Sequence, residues 1–226
     1  MAIDFAEKAD QTELYLYGAV GSDWDGFTDQ DLVKVLNTAD PDKPLHARIN
    51  SEGGSVFDGY AIYNLLRSDP RDLTVTIDGV ALSAASFIAL AGDTVRAARE
   101  SLFMIHNPWG LAIGDHTEMD RMAKLLLTIR SQIAGIYARV GKEGIEGYKA
   151  LMDVETWLTA EEAAEHGFVN EVIEDPAQLR NYVLAGFRNV PNKIKAHCAP
   201  PPNKVQKAVA TRLKILEMDD LLTRWT

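Results

Sequence analysis

Serine, histidine and acidic side chains occur in this chain in an order and setting that suit nucleophilic acyl transfer. Ser83 lies in Gly79-Val80-Ala81-Leu82-Ser83-Ala84-Ala85-Ser86, where an apolar strand gives way to a helix of small residues. A hydroxyl at that junction is exposed, stands near a helix N-terminus and has neighbours small enough to admit a substrate backbone. The arrangement is similar to a nucleophile elbow, although GxSxG is absent. A plain helix N-cap is the other role open to Ser83. Ser86, one turn further on, suits packing or back-bonding within the helix. His106 ends the apolar run Phe103-Met104-Ile105-His106, at the end of a strand where α/β sheets place their sites. Pro108 and Gly110 then force a loop.

Two further segments complete the candidate set. In Asn50-Ser51-Glu52-Gly53-Gly54-Ser55, paired glycines between a strand and a helix let backbone amides approach a carbonyl oxygen or an anion. A tight strand-to-helix turn is the alternative reading of the same residues. No Gly-Lys-Ser/Thr follows and GxGxxG is not present, which removes the usual phosphate cradles. In Asp153-Val154-Glu155-Thr156-Trp157-Leu158-Thr159, Asp153 and Glu155 read as extended and either carboxylate can orient a histidine. Glu162 is assigned to a capping box with Thr159. His46, His116, His166 and His197 read as surface or tail residues without a ligand partner at metal-binding spacing, so neither a metal nor another cofactor is expected.

The elements that must hold these residues follow from periodicity. Strands are expected at Glu13–Tyr17 (ending at a Gly18 turn), Leu45–Asn50, Leu73–Ile77, Ser101–His106 and Phe168–Ile173. Helices are expected at Thr28–Thr38 with Thr28 and Asp31 as a capping box, at Val56–Arg67, Ser83–Ala91, Thr117–Val140 and Glu161–His166. Strand and helix alternate through His106, which predicts an α/β fold with a largely parallel sheet. Met119, Met122, Leu125, Leu126, Ile129, Ile133, Ile136 and Val140 form a broad apolar stripe on the long helix. Part of that stripe is expected to meet another subunit.

With 226 residues, 46% hydrophobic and 25% charged, the composition is that of a globular protein with an ample core. A single cysteine, Cys198, rules out a disulfide framework. No apolar run is long enough to span a membrane, and the start Met1-Ala2-Ile3-Asp4-Phe5 lacks the pattern of a signal peptide, so a cytoplasmic setting is expected. The net charge of −10 argues against nucleic-acid binding by the whole chain. Seven basic and three acidic residues fall in 191–226, along with four of the nine prolines. The expected organisation is a catalytic domain over 1–175, a Pro-rich linker over 176–204 and a short basic tail over 205–226. Leu213, Leu216, Leu221, Leu222 and Trp225 can give that tail an amphipathic helix.

Four ordered blocks carry a resemblance: Ile49-Asn50-Ser51-x-Gly53-Gly54, Ala81-x-Ser83, Met104-Ile105-His106-x-Pro108 and Trp157-Leu158-Thr159-Ala160-x-Glu162-Ala163-x-x-x-Gly167. Together they resemble the proteolytic subunit of the Clp protease family, most of all its phage and prophage branch of head-maturation (prohead) proteases. The similarity runs from about Leu14 to Ile173. It implies the ClpP/crotonase-like α/β fold of ββα repeats with a long protruding handle helix, for which Thr117–Val140 is the match. It implies Ser83 as nucleophile, His106 as general base and Glu155 as the acid, where the family has aspartate; Asp153 stays the runner-up. Gly54 and Ala84 match the oxyanion-hole amides, with Gly53 beside them. The segment Trp109-Gly110-Leu111-Ala112-Ile113-Gly114 resembles the strand that pairs with substrate, placing Gly110 and Leu111 among the binding residues.

The resemblance also implies a homo-oligomeric ring, one or two stacked, acting on polypeptides. In the prohead branch these are scaffold and capsid proteins in the host cytoplasm or procapsid, with an unfoldase as an optional partner. Departures from the family are Glu52 in place of proline, a shorter stretch before His106, and the basic tail. Three other functions compete. A crotonase-type acyl-CoA enzyme shares the fold but does not need the Ser83–His106 pair. A Ser–Lys protease would need a lysine, for which Lys124 is the only nearby candidate. An inert assembly component would have no use for the serine, histidine and acid set.

Overall fold

The computed structural model describes residues 3–22 and 26–174, so the expected linker and tail lie outside the described residues. In chain order the elements are β1 (Asp4–Glu7), β2 (Thr12–Val20), α1 (Asp29–Thr38), β3 (Leu45–Gly54), α2 (Val56–Ser68), β4 (Leu73–Leu82) and α3 (Ala84–Ala89). There follow β5 (Thr94–Ala98), β6 (Leu102–Ile105), α4 (His116–Val140), α5 (Ile145–Asp153), β7 (Thr156–Thr159), α6 (Ala160–Glu165) and β8 (Glu171–Ile173). Helix starts are set by side-chain caps that satisfy orphan N–H groups. Thr28 and Asp31 form the expected capping box of α1, and Thr159 with Glu162 that of α6. Asp115 accepts from the amides of Thr117 and Glu118 to start α4.

The sheet is mixed but mainly parallel, in the order β1-β2-β3-β4-β5-β8, with β6 joined to β4 and β7 to β6. The branch arises because β4 changes partner along its length. Thr74–Ile77 pair with β5, and Val80–Leu82 pair with β6. Neighbouring strands are irregular at the same level, between Tyr17 and Ala19 in β2 and between Ile49 and Ser51 in β3. Side chains bridge the break. The buried Asp78 carboxylate accepts from Nε of Arg48 at 2.8 Å, from the Arg48 terminal amine and from the Tyr17 hydroxyl at 2.5 Å. A buried charge is tolerated only when paired in this way. Asn50 Oδ1 accepts from the Val80 amide at 3.2 Å, replacing a ladder bond.

Leu14, Leu16, Ile49, Val75 and Ile77 alternate onto one face of the sheet and are fully buried in one core with Leu32, Ile62 and Phe87 from the helices. The C-terminal half of α4 joins this core through Ile129, Ile133, Ile136 and Tyr137. Its N-terminal half leaves Met119, Leu125 and Leu127 exposed.

The structure corrects several sequence expectations. β2 does not stop at Gly18 but runs through it, the glycine taking φ +90° at the irregularity. Gly53 and Gly54 are the last residues of β3 rather than a separate turn. The helix after Ser83 is shorter than expected, Ala84–Ala89, and the last strand begins at Glu171 rather than Phe168. β1, β5, α5 and β7 were not anticipated; each is short, so few residues carry its period. Asp153 is therefore the last residue of a helix, not part of an extended segment. His46 is not a surface residue: its ring is held between Thr76 Oγ1 at 2.8 Å and Gln11 Nε2 at 3.1 Å, and burial pushes its pKa down.

Candidate active site

Four adjacent strand ends carry the candidate residues, in a lateral order that matches their chemistry. β3 ends at Gly53 and Gly54, β4 leads into Ser83, β6 into His106, and β7 begins just after Glu155. The ladders make this order necessary. β4 and β6 run parallel with Leu82 opposite Met104, and the Ser83 amide continues the ladder by donating to the Met104 carbonyl at 3.0 Å. β6 and β7 run antiparallel with Ile105 opposite Thr156 as the last pair. One step beyond that pair, His106 meets Glu155.

Nε2 of His106 lies 2.7 Å from Oγ of Ser83. On the other side of the ring, Nδ1 lies 3.9 Å from Oε2 of Glu155. The His106 and Glu155 side chains are 9% and 7% exposed, so little water competes for either. With the proton on Nδ1, the imidazole presents a lone pair to the serine hydroxyl and an N–H to the carboxylate. Oε1 of Glu155 accepts from the Trp157 indole N–H at 3.2 Å.

Among the described residues, Ser83 and Glu155 are the two non-glycine residues with positive φ, at 52° and 53°. Such conformations cost about 1–3 kcal/mol and persist where surrounding structure enforces them. At Ser83, with ψ −121°, the chain makes a strained strand-to-helix turn without the flanking glycines of GxSxG. Packing enforces it. A Cβ on Gly53 would collide with the Leu82 carbonyl oxygen and come within 2.8 Å of both the Ala84 nitrogen and the Ser83 Cβ. From Val75 to Ala91, Ser83 is the one residue that is not buried, so a rigid core presents this hydroxyl outward. Ser86 does back-bond, donating to the Ser83 carbonyl at 2.5 Å, and its hydroxyl also lies 2.7 Å from the buried Tyr137 hydroxyl of α4. Ser83 makes no side-chain cap to α3, so the N-cap alternative falls.

Gly54 follows on β3 at φ +150°, where a side chain would collide with the Val20 carbonyl. Ala84 is buried directly after the serine. Val56, Phe87, Pro108, Ile133 and Tyr137 line a narrow apolar cleft against Ser83 and His106. Beside the glycine pair, burial pushes the Glu52 carboxyl upward.

The competing acid is placed elsewhere. The carboxylate of Asp153 is gripped by the Arg130 guanidinium of α4 at 2.6 and 2.7 Å and accepts from Asn107 Nδ2 at 2.8 Å. Arg130 Nε also donates to Asn107 Oδ1 at 3.0 Å, closing a three-residue clamp next to His106. Lys124 is exposed on α4 and paired with Asp120, which removes it as a candidate base. Gly110 and Leu111 are exposed in the irregular stretch between β6 and α4. The strand expected there is not formed, since a strand requires a hydrogen-bonding neighbour and no described strand pairs with this stretch. Exposed Trp109, Leu111 and Ile113 alternate along it. Among the described residues no group of three or more His, Cys, Asp or Glu side chains can hold a metal, and no helix is long and apolar enough to cross a membrane.

Trp157, Arg130 and Asn107 escaped the sequence reading. Strand alternation offers no signal for Trp157, because Glu155 lies outside β7 with φ 53°. None existed for Arg130, which reaches its partners only through the fold.

Comparison with known proteins identifies the family to which the chain is similar. A family described as Clp protease matches residues 11–176. The ATP-dependent Clp protease proteolytic subunit 1 of Protochlamydia amoebophila (strain UWE25) is 31% identical over 150 residues, 65% of this chain and 73% of that protein. The ATP-dependent Clp protease proteolytic subunit of Porphyromonas gingivalis (strain ATCC BAA-308 / W83) is 31% identical over 141 residues, 62% of this chain and 64% of that protein. With four strand ends assembling the expected side chains and the family matched over most of its length, this chain belongs to the Clp protease family.

Proposed function

We propose that the chain is a serine endopeptidase in which Ser83 is the nucleophile, His106 the general base and Glu155 the orienting acid. The observation that carries the reading is the 2.7 Å contact between Ser83 Oγ and His106 Nε2, with the Glu155 carboxylate on the opposite ring nitrogen. Ser83 Oγ attacks the peptide carbonyl as its proton passes to Nε2. The imidazolium then donates that proton to the leaving amine, and the acyl-enzyme forms. Water attacks the ester with His106 again as base, releasing the acid and restoring Ser83. Glu155 holds the Nδ1–H tautomer and offsets the imidazolium charge. The Gly54 and Ala84 amides serve the oxyanion, each donor worth roughly 3 kcal/mol in comparable sites. Gly53 keeps β3 close enough for this.

Gly110 and Leu111 offer an unpaired backbone edge to which an extended substrate can add as a strand. Val56, Phe87, Pro108, Ile133 and Tyr137 pack closely against Ser83 and His106 and leave little room for water behind the pair. Glu52 disfavours acidic side chains nearby. Membership of the family supports a ring of identical subunits, with the exposed half of α4 as the handle between stacked rings. The motif resemblance to prohead proteases makes scaffold and capsid polypeptides the substrates we favour, with or without an unfoldase.

Fluorophosphonate labelling with peptide mapping tests the reading. Label is expected on Ser83, absent in Ser83→Ala, abolished in His106→Ala and strongly slowed in Glu155→Gln. A folded protein that takes no label on Ser83 overturns it and makes acyl-CoA binding the next assay.

A further inference from the structure

Glu155 brings the relay a difficulty that an aspartate would not. Its carboxylate hangs on one more rotatable bond, and ordering a side chain of this kind costs about 1.5–2 kcal/mol. The cost matters because Oε2 must point at a single atom, Nδ1 of His106, from 3.9 Å away. The other oxygen is engaged: Oε1 accepts from Trp157 Nε1 at 3.2 Å. Trp157 is itself fixed, as part of β7 opposite Met104 of β6, the strand that leads into His106. The donor thus sits within one antiparallel ladder, the acid and base flank its end, and the backbone of Glu155 is turned to φ 53° just before that ladder begins.

We propose that Trp157 is a positioning residue of the triad: its indole N–H holds Oε1 of Glu155 so that Oε2 faces His106. The inference rests on the Ser83–His106–Glu155 reading above and deepens it. An indole suits the task. It is a donor only, it does not titrate in the working range, and two side-chain torsions set its direction. It therefore steers the carboxylate without competing for the proton on Nδ1. A phenylalanine at this position would pack on β7 equally well and leave the glutamate to sample other rotamers.

The test is a double-mutant cycle read by the second-order rate of fluorophosphonate labelling at Ser83 in the full chain. In the Glu155 background, Trp157→Phe is expected to slow labelling about tenfold in protein that remains folded at the assay temperature. In the Glu155→Ala background the same substitution is expected to change the rate less than about twofold, because the group it acts through is gone. Equal losses in both backgrounds would assign Trp157 to packing and overturn the proposal, as would no loss with Glu155 present. Glu155→Ala itself reports on the parent reading. If it leaves labelling unslowed, the triad assignment fails, whatever Trp157 does. Should Trp157→Phe not fold, benzothienylalanine at position 157 replaces the N–H by sulfur at nearly constant shape and completes the same cycle.

Discussion

On the β3–β4 side of the site, geometry is fixed by backbone against backbone: Gly53 touches the turn that carries Ser83, and a buried run from Val75 to Ala91 leaves that serine as its one opening. On the β6–β7 side, geometry depends on the tips of long side chains, with Glu155 still 3.9 Å from its partner nitrogen. The two sides should therefore fail differently. The first has no slack, so a single added methyl group breaks it. The second has adjustable torsions, so its losses are graded and depend on which group is removed. In the proposed reading the nucleophile and its oxyanion amides are preorganised by folding, whereas the acid faces the base across 3.9 Å and is held on its other oxygen by the Trp157 indole.

The sharpest way to break this comparison is Gly53→Ala. Its Cβ would collide with the Leu82 carbonyl at a residue with φ +85°. Activity is expected to fall by more than about 1000-fold and stability by about 2–4 kcal/mol, measured by peptide hydrolysis and denaturant unfolding. A well-folded, active Gly53→Ala protein would show that the first side has slack after all.

On the other side, Glu155→Gln is expected to lower kcat by about 100- to 1000-fold with KM nearly unchanged, while Glu155→Asp keeps the charge and loses only about tenfold. Equal losses for the two would mean that carboxylate reach matters as much as charge. Asp153→Asn tests the clamp rather than the relay. Its carboxylate sits on Arg130 and Asn107, so a loss of about two- to fivefold in kcat is expected. A larger loss than in Glu155→Gln would exchange the roles of the two acids.

The smallest effect concerns Glu52. Burial raises its carboxyl pKa in the folded protein, so the folded state binds a proton more tightly than the unfolded chain does. Stability must then fall as pH rises from the ordinary carboxylate value through the raised one. Glu52→Gln is expected to raise Tm at about pH 8 and to match the parent protein at about pH 3, below the ordinary carboxylate range. The opposite sign would place a cationic partner on Glu52.

How far the site was legible in the sequence divides along the same line. Ser83, Gly53 and Gly54 are visible without a structure as small residues around a strand–helix junction, but on their own they leave an N-cap and a tight turn open, and the family resemblance is what decides between the readings. His106 was legible as the end of an apolar strand. The acid was not decided by the residues themselves, since Asp153 and Glu155 are two apart and the helix that claims Asp153 had not been recognised. That helix, α5, begins at a glycine without a side-chain cap and contains Gly147, so neither its start nor its propensity marks it. β5 and β7 are too short for alternation to stand out. The branch of β4 between two partners has no local signal, because it depends on which strands arrive beside it.

The ladder between β6 and β7 has only four residue pairs, yet it brings His106 to Glu155 and holds the Trp157 indole beside them. An opening confined to those few hydrogen bonds would silence the enzyme while leaving the rest of the sheet folded. Since β6 is largely buried and also paired with β4, the partly exposed β7 is the strand whose detachment would end activity below the free energy of global unfolding. Amide hydrogen exchange at Thr156–Thr159 should track inactivation more closely than melting of the core does.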